Sequence, residues 1–249
     1  MQATCHGLTH TGAVRPANED TLAVGAWCAA GLDLARPAQR VESLDGGLVL
    51  AVADGMGGHA GGALASQAAA TAIQAAAGRL RDAESARQVL SEANERLYAL
   101  MQAGAGTPGM GTTLAGLALW PDRAVVFNVG DSRVYGYDPE AGLVQLSTDD
   151  TPGPRSADGR VALTTTPLVT QALGGATAFQ PIQAHAEDLP APRAGGCYLL
   201  CSDGLSDRVP ADALAGILRR ETGAAAVRAL FDAAMAAGGQ DNVSILLAE

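Results

Sequence analysis

Five short acidic motifs could do chemistry together: Asn18-Glu19-Asp20, Asp54-Gly55-Met56-Gly57-Gly58-His59, Gly130-Asp131-Ser132-Arg133, Ser202-Asp203-Gly204 and Gln240-Asp241-Asn242. Taken singly, Asp beside Gly or Asn is ordinary turn chemistry. Together they ask for more. The first four fall where an apolar run ends, and the fifth precedes the last one. Asp54 and Asp203 follow the apolar runs 48–53 and 198–201, which read as neighbouring central strands. Carboxylates at the ends of such strands repel one another unless a cation sits between them. Oxygen donors without a His or Cys cluster suit a hard ion such as Mn²⁺ or Mg²⁺. Glycine after Asp54 lets the chain approach closely, so the Gly55 carbonyl can serve as a further donor. Two ions bridged by one carboxylate would activate a shared water and orient a phosphate for in-line attack.

The elements that must position these residues come in blocks. Strands are expected at 4–11, 20–28 and 48–53, and the run 48–53 has no polar alternation, as in a strand covered on both faces. The stretch 29–47 reads as a long loop or an inserted hairpin. Helices follow at 61–79 and, with Asp82 as its N-cap, to about 102. Short strands are expected at 112–119, 124–130, 133–137 and 143–146, then a surface loop rich in Pro, Gly and Thr over 151–167. Strands resume at 180–188 and 196–201. Pro210 opens a helix to Arg220, another spans 224–237, and a strand closes the chain at 243–247. Blocks of strands and helices, rather than strict alternation, predict an α+β fold: a β-sandwich of two mainly antiparallel sheets with helices packed outside. Without a repeat or linker, residues 1–249 read as a single domain.

Composition narrows the class. Net charge is −10, and all sixteen basic residues are arginine. They form no cluster, so a nucleic-acid partner is not expected. No apolar run is long enough to span a membrane and the N-terminus carries no secretory pattern, which makes a cytoplasmic protein the expectation. Cys197 and Cys201 share one strand face and read as small buried hydrophobes; no zinc spacing or disulfide framework is present. The pattern Gly104-x-Gly106-x-x-Gly109 follows a helix and contains Pro108, so it is no dinucleotide fingerprint. His6, His10 and His185 have no partner spacing and stay unassigned.

The ordered motifs resemble the PPM/PP2C family of metal-dependent protein serine/threonine phosphatases, in its bacterial form. The resemblance rests on residues 12–20, 53–59, 111–113, 130–133, 170–174, 201–205 and 241–244, in the family's order. It implies a β-sandwich flanked by pairs of helices. It also implies that Asp54 bridges two Mn²⁺ or Mg²⁺ ions, with the Gly55 carbonyl on the second and Asp203 and Asp241 on the first. Asp20, with Glu19, would act through metal-bound water, and Asp131 with Asp203 would hold a third, weaker ion. Arg15 would grip the substrate phosphate, and His59 would be the general acid. The implied reaction is hydrolysis of phosphoserine or phosphothreonine in proteins that are targets of a Ser/Thr kinase. Metal-bound hydroxide attacks directly and no phosphoenzyme forms.

Two departures stand out. The family usually shows Thr-x-Asp-His-Ser after the strand at 143–146; here Asp150 takes the histidine position. The flap that follows, 151–169, is shorter than usual. Arg133 reads as a structural partner of a nearby carboxylate, and Thr112 and Thr113 as the start of a strand. Competing functions are a non-catalytic regulatory module, against which the full set of carboxylates argues, and a phosphodiesterase or nuclease, which lacks a basic surface.

Overall fold

The computed structural model describes residues 1–58, 60–152, 169–190 and 195–249. One six-stranded sheet contains β1 (Gln2–His10), β4 (Ala38–Ser43), β10 (Arg133–Asp138), β11 (Gly142–Gln145), β14 (Cys197–Cys201) and β15 (Val243–Ala248). Its order is β11-β10-β14-β15-β1-β4. A second contains β2 (Thr21–Val24), β3 (Trp27–Ala30), β5 (Leu48–Ala53), β8 (Leu114–Leu119), β9 (Arg123–Val129) and β13 (His185–Pro190). Its order is β13-β9-β8-β5-β2-β3, and the strand pairs of both sheets are antiparallel. A small sheet joins β6 (Gly55–Met56), β7 (Gly111–Thr112) and β12 (Leu173–Gly174). Helices α1 (Ala60–Ala75) and α2 (Ala83–Gln102) cover the second sheet. Beside the first lie α3 (Asp203–Ser206), α4 (Ala211–Arg220) and α5 (Gly223–Ala236). The layers run helix, sheet, sheet, helix, as the block pattern predicts.

Strand periodicity explains why β5 carries no polar residue. Leu48, Leu50 and Val52 point into the core between the sheets, with Leu22, Leu117, Val134, Leu200 and Leu246. Val49, Ala51 and Ala53 point the other way, against Ile73, Leu90, Leu97 and Phe127. In β15, Leu246 and Ala248 face the inter-sheet core while Val243, Ile245 and Leu247 meet Leu214, Leu230 and Phe231. Each large aliphatic side chain buried this way contributes about 1.5–3 kcal/mol. The strands that end in the acidic motifs are therefore firmly held on both faces.

Local chemistry sets several boundaries. Asp82 caps α2: its carboxylate accepts from the Ser85 amide at 2.7 Å, and the Ser85 hydroxyl accepts from the Asp82 amide at 3.2 Å. Pro210 is the residue before α4 rather than its first turn, with extended backbone at φ −60°, ψ 150°. The 29–47 stretch is neither a plain loop nor a local hairpin. Residues 38–43 cross to the other sheet and pair with β1, Thr4 opposite Val41, so the segment ties the two sheets together. The strand expected at 180–188 begins only at His185. Cys197 and Cys201 are free thiols on the face packed against α4 and α5.

Arg133 has the predicted structural partner. Its guanidinium lies 2.8 Å from Asp149, with side chains 8% and 1% exposed, and it also donates to the Tyr135 hydroxyl. Arg133→Met strips the cation from a buried carboxylate and is expected to destabilise the fold by about 3–5 kcal/mol. Urea unfolding checks this: the midpoint falls, and Arg133→Met/Asp149→Leu recovers part of the loss. A single-variant loss under about 1 kcal/mol contradicts a buried, tightly coupled pair.

Candidate functional site: a cavity lined by aspartates

In antiparallel sheets the end of one strand lies beside the start of the next. Ala53 of β5 sits opposite Thr21 of β2, and Cys201 of β14 opposite both Ile245 of β15 and Arg133 of β10. Asp54, Asp20 and Asp203 adjoin these pairs, Asp131 lies in the turn from β9 to β10, and Asp241 lies just before β15. All are thus delivered to one edge of the sandwich. Asp54 and Asp203 hang from opposite sheets rather than from neighbouring strands of one sheet, and face each other across the layer.

The cavity there has a volume of about 310 Å³. Arg15, Glu19, Asp54, Gly55, Gly57, Gly58, Thr113, Asp131, Asp203, Asp241 and Asn242 line it. Asp20 lies behind the wall and is fully buried; Ser202 Oγ donates to its Oδ2 at 3.0 Å. His59 lies outside the described residues, as does most of the 151–169 flap. Arg15 donates to Asp241 Oδ2 at 2.6 Å, so two residues expected to bind different groups hold one another.

Apart from the Arg15–Asp241 pair, hydroxyls and amides fix this acidic rim. The Asp54 carbonyl accepts from the Thr113 amide at 2.9 Å and the Thr112 hydroxyl at 2.8 Å, while its own amide donates to Thr113 Oγ1. Thr113 Oγ1 and Ser132 Oγ share a hydrogen bond of 2.7 Å, linking the Asp54 and Asp131 turns. Asn242 Nδ2 donates to the Thr11 and Ala17 carbonyls, and its Oδ1 accepts from the Glu19 amide. It thereby holds the loop that carries Arg15. The sequence singled out none of Thr113, Ser132, Ser202 or Asn242 for such a role; the one available signal was their place beside aspartates in the same motifs. Gly55 is required for another reason than a free carbonyl: a Cβ there would collide with the Gly62 and Glu19 carbonyls.

Burial and mutual repulsion push these acids upward. Desolvation first, and then Asp20, Asp203, Asp241 and Asp131 in turn, hold the Asp54 carboxyl well above the usual range. Asp203 is raised in the same way, by burial first and then by Asp131 and Asp241. Burial raises Asp20 to about 7 against opposing hydrogen bonds from Ser244 and Ser202. Asp131 reaches about 6, through burial and then Asp207. Asp20 Oδ1 and Asp203 Oδ1 are buried without a hydrogen-bond partner, and such orphaned acceptors are costly. A donor set made only of oxygens, with two orphaned carboxylate atoms, fits hard divalent cations. No three His, Cys, Asp or Glu side chains among the described residues close into a single cage. Carbonyls and water would have to complete any ion's shell here.

A family model described as protein phosphatase 2C matches residues 38–243. The chain belongs to the protein phosphatase 2C family. Among its relatives is the serine/threonine protein phosphatase PstP of Mycobacterium tuberculosis, 34% identical over 222 residues; the match covers 82% of this chain and 40% of that protein. This chain thus spans less than half the length of that relative. The serine/threonine phosphatase stp of Listeria monocytogenes is 29% identical over 223 residues, covering 84% of this chain and 86% of that one. The crystal structure of the M. tuberculosis phosphatase PstP/Ppp superposes with a TM-score of 0.79 at 28% identity, covering 100% of this chain and 99% of that one. The PstP catalytic domain in complex with two manganese ions does so with a TM-score of 0.76 at 29% identity, over 100% and 99% of the two chains. The sandwich of two antiparallel sheets flanked by helices is this family's fold.

Raised carboxyl pKa values give stability a definite pH dependence. Between about pH 4 and the folded values near 6 and 7, the folded chain holds protons that the unfolded chain has released. In EDTA, stability is therefore present at low pH and falls as pH rises through that window, by a few kcal/mol in all. Melting temperatures across pH 4.5–7.5 in EDTA test this, and a rise toward neutral pH contradicts the buried-acid cluster.

Proposed function

We propose that the chain is a metal-dependent phosphatase that removes the phosphoryl group from phosphoserine or phosphothreonine in proteins. The observation that carries the reading is the meeting of Asp54, Asp131, Asp203 and Asp241 around one cavity, with burial and repulsion opposing ionisation of the first three. Asp54, the Gly55 carbonyl, Asp203 and Asp241 would hold two Mn²⁺ or Mg²⁺ ions; Asp20, behind the wall, would act through water; Asp131 with Asp203 would hold a third ion. When bound, such ions neutralise the acids and supply an activated water, so no phosphoenzyme is needed.

The chain's own groups do the remaining work. Arg15 is the cation at the rim, and a doubly charged phosphate would compete with Asp241 for its fork of donors. Gly57 and Gly58 line the wall beside Asp54 without side chains of their own. His59 is assigned the protonation of the departing alcohol oxygen, a role that rests on the family resemblance. The targets are expected to be substrates of a Ser/Thr kinase. No described helix is long and apolar enough to cross a membrane.

Purified protein should hydrolyse a phosphothreonine peptide and an aryl phosphate with Mn²⁺ and stop in EDTA. Asp54→Asn should lower turnover by about a hundredfold or more while staying folded. Undiminished turnover in EDTA would sink the metal reading. His59→Ala should slow the phosphopeptide, whose alkoxide is a poor leaving group, about 10²-fold or more, and the aryl phosphate far less. Equal losses on both substrates would remove His59 from the role of acid.

A further inference from the structure

Asp150 is joined to the acidic rim without lining it. Its carboxylate is nearly buried, with the side chain 10% exposed, and both oxygens are used. Oδ2 accepts from the Gly130 amide at 2.8 Å, and Oδ1 lies 2.8 Å from His185 Nε2. When Asp150 is a carboxylate, Nε2 is the donor in that bond. The Asp150 amide in turn donates to the Gly130 carbonyl at 3.0 Å. Both main-chain polar groups of Gly130, the residue before Asp131, are thus held by this one residue.

That grip falls on a point of unusual backbone. Gly130 has φ +98°, and a Cβ there would press on Thr113 at 2.7 Å, so no other residue can substitute. The direction in which Asp131 leaves the turn depends on this conformation, and Asp131 lines the cavity. Its aim into the cavity is therefore set by the backbone. Asp150 has one further tie: its carbonyl accepts from the Thr170 amide at 2.7 Å, next to Val169, which lines the same cavity. On its other side His185 borders a second, separate cavity of about 370 Å³, together with Arg87, Asn128, Thr148 and Gln183.

We propose that Asp150 and His185 act as a positioning pair: the imidazole orients the carboxylate, which fixes the Gly130 turn and with it the presentation of Asp131 to a cation. This rests on the metal-dependent reading above. Residues that orient a ligand from behind typically change metal affinity by about 10–100-fold. The weakest ion is the one concerned, because Asp131 is assigned to it.

Calorimetric titration of Mn²⁺ into the ion-free protein tests the pair without needing turnover, so it decides this proposal even if the wild type shows no phosphatase activity. Asp150→Ala should weaken the weakest Mn²⁺ by about tenfold or more and raise the Mn²⁺ concentration needed for half-maximal hydrolysis, with the tighter ions unchanged. Asp150→Asn, which can still accept from Gly130 and donate to the other imidazole tautomer, should remain close to wild type. His185→Gly should show a smaller loss, and added imidazole, entering from the second cavity, should restore it. The proposal is overturned if Asp150→Ala binds Mn²⁺ as the wild type does. If that variant does not fold, His185→Gly decides: wild-type affinity, or a loss that imidazole leaves untouched, overturns the pair.

Discussion

Like charges forced together out of water are the constraint around which the rest of this molecule is arranged. Asp54 and Asp203 are half-buried at the ends of apolar strands in opposite sheets, with Asp20 fully buried behind them. None of the three would ionise readily where it stands, and two of their oxygens lack any hydrogen-bond donor. A side chain free to swing away would relieve that repulsion. These cannot, because β5, β14 and β15 are packed on both faces and the turns they feed are hydrogen-bonded to one another. The tension is a local instability carried by a strong core, as at sites built to bind charge.

What resists the repulsion is neutral. Thr113 and Ser132 tie two acidic turns together, Ser202 reaches Asp20, Ser244 pairs with Thr9, and Asn242 holds the Arg15 loop at three points. Had these fasteners been arginines, they would have neutralised the acids and removed the site's appetite for a cation. The buried arginine that is present, Arg133, is committed to Asp149, one layer back from the cavity. Hydroxyls and amides fix geometry while leaving the charge uncompensated everywhere but at Asp241, which Arg15 meets.

Much of this was legible in the chain. The uniformly apolar run 48–53 pointed to a strand covered on both sides, and Asp82 before an amphipathic stretch pointed to a helix start. The acidic motifs were visible as a set because each sits where an apolar run stops. Pairing across the sandwich was not visible: sequence order does not say that β5 and β14 belong to different sheets, and the crossing of residues 38–43 to β1 carries no local signal. His185 carries no local signal, because its partner lies 35 residues away and meets it only after β13 has docked on β9. The short helix after Asp203 was likewise hidden, since four residues show no period.

The charge of the cavity itself argues for what must enter first. Among the described lining residues Arg15 is the single cation, set against Glu19 and four aspartates, and it is already paired with Asp241. A phosphate dianion approaching such a surface meets net repulsion at close range, in a site where the surrounding protein screens charge poorly. Converting the acids to amides would lower the repulsion but would also remove every strong ligand for an anion's counter-charge. Divalent cations would resolve both difficulties at once, since the orphaned Asp20 and Asp203 oxygens could serve them directly or through water and the repelling wall would become an attracting one. The order of events follows from the electrostatics. On the proposed reading, cations would have to occupy the acidic edge before a phosphorylated substrate could be drawn to it, and the metal would then set substrate binding as well as the chemistry.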